Sequence, residues 1–325
     1  MIDASPPNPG ATEPLSLVGS AEAFDALTSP FRRELLVHCY RMLGSIDDAE
    51  DAVQDALARA WRGRATFQRA ISVRAWLYRI ATNACLDAID RRKRAHGGDA
   101  HPSVGPIPDD VLGDASAEPE ARYDAHESIS LAFLTALQLL PPRQRAVLIL
   151  RDVLAWRASE VAELLELTVP AVNSALHRAR SRMSSREQTG PLVERRPAAE
   201  PHHLRSLLER YVRAWESADV AGLIALLREE AIVAMPPGII VRGREAIGAF
   251  LARSVFGGGL RVRLVPVGAN RGPAFAVYSA ALGDHVLRMY AILLVDVDEP
   301  LISRITVFAD PRLAATFGLA GELPR

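Results

Sequence analysis

Between Ala21 and about Ser185 the apolar residues recur every three or four positions; beyond His202 most of them gather into short strand-like runs. A chain that changes period in this way folds as helices first and as a mixed helix and sheet domain last. Two stretches rich in Gly, Pro, Asp and Ser or otherwise polar interrupt the pattern, His96 to Arg122 and Arg186 to Pro201. The expected organisation is a disordered N-terminus over 1–20, a helical bundle over 21–95 and a flexible linker over 96–122. A second helical domain over 123–185, a linker over 186–201 and an α+β domain over 202–325 follow. The fold class is therefore multidomain, two all-α domains and a C-terminal α+β one, and 325 residues suit that number.

In the first block Leu35, Leu36, Cys39 and Leu43 share one stripe, and Ala49, Val53, Ala56, Leu57, Ala60 and Trp61 share another. Ser72 can cap a third helix that turns Trp76, Leu77, Ile80, Ala81, Ala84 and Cys85 inward. That helix runs out in the basic sequence Arg91-Arg92-Lys93-Arg94, whereas Asp109 to Glu127 is acidic. A net charge of −1 conceals this asymmetry, which says more about partners than the sum does. The two cysteines, Cys39 and Cys85, are far apart and form no C-x-x-C, so buried reduced thiols are expected and a metal or redox site is not. The first twenty residues lack the basic start and apolar core of a signal peptide, and no apolar run reaches the roughly 18 residues that span a membrane. A cytoplasmic protein is expected.

The sharpest local signal lies between Ser159 and Arg182. Val161, Leu164 and Leu165 form the apolar side of one helix, Leu167-Thr168 a turn, and Thr168 an N-cap for a second helix with Pro170 in its first turn. Along that second helix Val169, Val172, Leu176 and Ala179 fall on one face. Asn173, Ser174, His177, Arg178 and Arg180 fall on the other. A major groove accepts one such helix, with Asn suited to adenine and Arg to guanine. A solvated helical hairpin would show the same pattern.

Larger segments surround this one. Leu140-Pro-Pro-Arg-Gln-Arg-Ala-Val-Leu-Ile-Leu-Arg-Asp-Val-Leu-Ala-Trp156, leading into Glu160-Val-Ala-Glu-Leu-Leu and Val172-Asn-Ser-Ala-Leu-His-Arg-Ala-Arg180, resembles region 4 of extracytoplasmic-function RNA polymerase sigma factors. Asp47 to Trp61 resembles region 2.2 of the same family, and Val73 to Arg92 resembles regions 2.3 and 2.4. The last part resembles the SnoaL-like, ketosteroid-isomerase-like cone fused to some of these factors, through Met235-Pro-Pro, Arg242-Gly-Arg-Glu-Ala-Ile247, Ile305 to Leu313 and Phe317-Gly-Leu.

The resemblance implies a transcription initiation factor with core RNA polymerase and promoter DNA as partners. It assigns Asp51, Gln54 and Asp55 to the polymerase clamp, and Asn83, with Arg79 one turn earlier, to a flipped base of the −10 element. Arg91, Arg92, Lys93 and Arg94 fall at promoter backbone positions, and Arg151, Asn173, Ser174, His177 and Arg178 at −35 contacts. The chain departs from the family pattern at Gln68-Arg69-Ala70-Ile71, at Ala155, where glycine is usual, and at Arg157, where a small hydroxyl residue is common.

In the C-terminal cone His285, Asp284, Asp296 and Asp310, with Tyr211 and Tyr278, are the only candidates for acid or base chemistry, and they make no constellation. No catalytic residue, cofactor or metal is expected. The domain is read as a regulator that packs against the sigma domains or binds a small apolar ligand. Two other readings stay open: a two-domain DNA-binding repressor or activator, and a SnoaL-like enzyme with a DNA-binding appendage.

Overall fold

The structure, a computed structural model, describes residues 20–66, 72–96, 104–113, 129–187 and 201–324. Two compact units emerge, one formed by residues 1–104 with 134–192 and the other by 105–133 with 193–325. The expected N-terminal disorder, the stretch 68–71 and most of both linkers lie outside the described residues.

The first unit opens with α1 (Ala21–Thr28), α2 (Arg32–Leu43), α3 (Ile46–Gly63) and α4 (Val73–His96). Their starts follow local chemistry. Ser20, Ser45 and Ser72 each accept a hydrogen bond from the backbone N–H three residues on, at 3.2, 3.3 and 3.1 Å. Asp47 and Asp48 sit in the first turn of α3, where the helix dipole favours them. Gly44, at φ 81°, ends α2 in the left-handed region, and a Cβ there would come within 3.2 Å of the Gln138 side chain.

Leu35, Cys39, Tyr40 and Leu43 from α2 meet Ala49, Ala56 and Ala60 from α3 and Leu77, Ala81, Ala84 and Cys85 from α4, all nearly inaccessible. Within this core His38 Nε2 and Thr82 Oγ1 pair at 2.9 Å. Burial, and secondarily the charge of Arg41, pulls the His38 imidazole down to about 3. An unfolded histidine takes up its proton near pH 6.5, whereas the folded one resists until about pH 3. Its contribution to stability is therefore complete above pH 6.5 and is lost progressively as the pH falls toward 3. Urea midpoints measured from pH 7.5 to 4.5 should fall, and His38→Gln should flatten that decline. An equal decline in the variant would assign the acid sensitivity to other groups.

After a short α5 (Asp109–Leu112) of the second unit, α6 (Leu131–Gln138) begins in that unit and enters the first at Leu134, and α7 (Pro142–Leu148) follows in the first. A π-helical turn, Ile149–Val153, leads to α8 (Ala158–Leu165) and α9 (Val169–Glu187). The two helical modules pack directly on one another. The Arg145 guanidinium, 3% exposed, donates to the carbonyls of Leu137 at 2.8 Å, Gln138 at 2.8 Å, Leu140 at 3.2 Å and Met42, and to Gln138 Oε1 at 2.6 Å. Gln138 in turn donates to the Arg41 carbonyl at 3.2 Å. These bonds satisfy carbonyls that the ends of α2 and α6 leave without partners.

The second unit holds α10 (Pro201–Glu216), α11 (Val220–Ala225), β1 (Leu227–Met235), β2 (Ile239–Arg242), α12 (Arg244–Phe250) and a second π-helical turn, Leu251–Val255. Strands β3 (Arg261–Ala269), β4 (Gly272–Ala280), β5 (Val286–Asp298) and β6 (Leu301–Phe308) follow, then α13 (Leu313–Thr316) and β7 (Glu322–Pro324). The strands order as β2-β1-β6-β5-β4-β3, with β7 added to β5. All neighbouring strands pair antiparallel except β1 and β6, which run parallel. A period of two identifies a strand without revealing its direction, and the crossing through α12 returns the chain to the far edge before the meander comes back to β1. Helices α10 and α12 cover the sheet, burying Tyr211, Trp215, Ile247, Phe275, Val277, Leu293 and Ile305.

The linker differs from expectation over 104–113. Pro108 bridges to Ala269, and the Asn270 N–H donates to the Ile107 carbonyl at 3.0 Å. The Asn270 side chain accepts from the Ile107 N–H at 3.1 Å and donates to the Ile129 carbonyl at 2.9 Å. Asp109 accepts from the Arg271 N–H at 2.6 Å, and a Cβ on Gly268 would meet the Asp109 carboxylate at 2.8 Å. Low apolar periodicity suggested disorder; long-range hydrogen bonds to one turn supply the order instead.

Candidate nucleic-acid interface

Helix α9 separates an apolar from a polar face, although Val169, expected on the apolar face, is exposed. Thr168 caps it, accepting from the Ala171 N–H at 3.3 Å. Val172, Ala175, Leu176 and Ala179 are buried, and Asn173, Ser174, His177 and Arg178 are exposed. Glu166, at φ 55°, makes the left-handed turn between the two helices. Ala155 also sits at φ 55°, which explains why glycine suits this position; alanine there carries about 1–2 kcal/mol of strain.

Two arginines near the face have other engagements. Arg180 forms a two-pronged pair with Asp152 at 2.7 and 2.9 Å. Arg151 is half-buried and donates to the Trp156 carbonyl, bracing the loop before α8.

On the N-terminal module Asn83 is exposed on α4, as are Arg91, Lys93 and Arg94. Arg92 is partly buried and pairs with Asp48. Arg79 pairs with Glu166 of the helix-turn-helix. Beside it Trp156 packs on Tyr78, ring centroids 5.2 Å apart, and Arg74 lies 5.6 Å from the Trp156 ring. Asp51 and Gln54 are exposed on α3, whereas Asp55 pairs with Arg59 at 2.7 Å, and Arg59 also reaches Asp87 at 2.6 Å.

Of the acid and base candidates in the C-terminal domain, Asp284, His285 and Asp296 are exposed, and Asp310 is held by Arg312 at 2.7 Å. The Tyr278 hydroxyl donates to the Ala320 carbonyl at 2.7 Å. Tyr211 and Tyr278 are both buried, Tyr211 within the main apolar cluster of the domain. Among the described residues no three potential metal ligands gather, and no helix is long and apolar enough to cross a membrane.

Sequence reading left Arg145, Glu166, Asn270 and Arg271 without roles. Arg145 stands inside the quoted Pro-Pro-Arg-Gln-Arg motif, yet an arginine between apolar residues reads as surface. Asn270-Arg271-Gly272 reads as a hairpin turn and nothing more.

The Sigma-70 region 2 family matches residues 27–95, Sigma-70 region 4 matches 130–183, and the SnoaL-like domain family matches 208–305. An N-terminal bundle with a basic helix, a helix-turn-helix and a cone in this order define a sigma factor with an appended C-terminal domain. The ECF RNA polymerase sigma factor SigG of Mycobacterium tuberculosis is 39% identical over 320 residues, covering 92% of this chain and 85% of that protein. SigJ of the same species is 27% identical over 91% of this chain and 90% of its own length. The crystal structure of SigJ superposes over 91% of this chain and 99% of its own, with a TM-score of 0.60 at 22% identity. The chain belongs to the extracytoplasmic-function sigma factors, transcription regulators that bring core RNA polymerase to promoter DNA.

Proposed function

We propose that Asn83 and the basic end of α4 engage the −10 region, that Asn173, Ser174, His177 and Arg178 read the −35 element, and that the C-terminal domain modulates both by holding the tether between them. Asp51, Gln54 and Asp55 face the polymerase clamp, the last after exchanging its Arg59 partner. The observation that carries the regulatory part is Asn270, which binds Ile107 and Ile129 at once.

The two elements stand about 25 base pairs apart, on the order of 85 Å along a duplex. With Arg79 bonded to Glu166, both modules cannot occupy their elements together. Initiation on this reading separates the modules, and a tether pinned at two points opposes that. Arg79 is released for the −10 strand in the same step. The protein acts in the cytoplasm with the polymerase, and a small apolar ligand in the cone biases the pinned state by binding it unequally.

Transcription by reconstituted polymerase, with starts mapped on a promoter library, tests the assignment. Asn173→Ala and Arg178→Ala should relax the −35 preference, each by about 1–3 kcal/mol of discrimination. Changes at Arg91, Lys93 and Arg94 should weaken binding evenly across sequences and lower its salt dependence. Uniform loss in every variant would remove the recognition face from α9. Deleting 202–325 should alter the extent of initiation while leaving the promoter motif unchanged.

A further inference from the structure

We propose that Val169 reads the 5-methyl group of a thymine in the −35 element, as a specificity-determining residue beside Asn173. This rests on the reading above that α9 enters the major groove there.

Val169 is the first residue of α9, and it breaks the division of that helix into a buried apolar and an exposed polar side. It is 39% exposed, whereas Val172, Leu176 and Ala179 are all buried. Among the described residues the helical unit leaves one other large apolar residue exposed, Leu139, in the turn between α6 and α7.

Helix stability does not call for a valine here. Thr168 already supplies the cap, accepting from the Ala171 N–H at 3.3 Å. Leu167 and Val172 occupy the two positions of a hydrophobic staple around that cap, which leaves Val169 outside it. A β-branched side chain is a mediocre helix former, and the helix dipole favours a carboxylate in a first turn. The first turn of α9 holds no acidic residue. In a helix aimed at a duplex, a carboxylate there would meet phosphates, whereas an apolar side chain suits a base edge.

Position selects the partner. Val169, Asn173 and His177 recur every four residues and form one row along α9, all three exposed. Residues near the start of such a helix are those that reach base edges. Four residues advance about 6 Å along a helix axis, less than two base-pair steps of roughly 3.4 Å. With Asn173 on an adenine, Val169 therefore falls within two base pairs of it. Valine offers neither donor nor acceptor, and the apolar group that a major-groove edge presents is the thymine methyl. One rotamer dominates for valine in a helix, so its two methyls form a preset surface for that contact.

The test uses holoenzyme reconstituted from the full chain and core RNA polymerase, on a promoter selected from a library randomised across the −35 region. Each −35 thymine is replaced in turn by deoxyuridine, which lacks only the 5-methyl group. At one thymine, within two base pairs of the adenine that Asn173 reads, uridine should lower affinity about threefold to fivefold, the scale of one buried methyl group. Val169→Ala should lose the same factor on thymine and bind the two promoters equally, while Val169→Ile should keep the discrimination. Thymines that uridine replaces without cost, or a Val169→Ala holoenzyme that weakens equally on both promoters, would overturn the proposal. A parent holoenzyme that selects no −35 motif would sink the wider reading together with this one. Uridine sensitivity that vanishes in Val169→Ala supports Val169 even where Asn173→Ala leaves the adenine preference intact, and removes only Asn173 from the readout.

Discussion

Replacing Arg145 by leucine is expected to cost about 3–5 kcal/mol of unfolding free energy, a large share of what a domain of this size has. Leucine can fill much of the space, but it leaves the Leu137, Gln138, Leu140 and Met42 carbonyls facing apolar neighbours without a donor. Burial draws the guanidinium down to about 10, so it is still charged at neutral pH. Arg145→Lys should recover less than half of the loss, because an ammonium cannot span four acceptors with a planar fork. Urea unfolding of the full chain, followed by tryptophan fluorescence, measures both variants. A loss below about 1 kcal/mol for leucine would mean that water reaches those carbonyls and that the network contributes little to joining the helical modules.

Releasing the tether should come next in size. Asn270→Gly keeps the left-handed backbone (φ 51°) but removes the side-chain bonds to Ile107 and Ile129. Two buried main-chain groups lose their partners, which costs roughly 2–4 kcal/mol locally. Hydrogen exchange at 107–112 should accelerate by about 30-fold to 1,000-fold, while exchange in α2 and α4 stays unchanged. Asn270→Asp separates the two bonds, since the carboxylate still accepts from Ile107 but no longer donates to Ile129. Unchanged exchange in the glycine variant would show that the Ala269 bridge and Asp109 hold the segment without the amide.

These two sites were the least legible parts of the chain. Helices, the caps at Ser72 and Thr168, and the split of α9 into buried Val172 and Leu176 against exposed Asn173 and Arg178 follow from spacing alone, because local periodicity encodes them. Arg145 and Asn270 act on residues 103 and 141 positions away, and nothing in their neighbourhoods announces such partners. The same holds for charge pairs: Arg79 reads as free on α4 until Glu166, brought against it by packing, neutralises it. Of the strands, location was readable and the parallel pairing of β1 with β6 was not, since direction depends on the path between them.

The grip of the β3–β4 turn on residues 107–113 also bears on how such chains exchange parts. Because 105–133 folds with 193–325, a chimera spliced at position 202 would carry the cone without the strip that its turn was shaped to hold. A graft that takes both pieces would move a complete device. The appended domain is built from two separated stretches of sequence, and one of them lies between the two sigma regions.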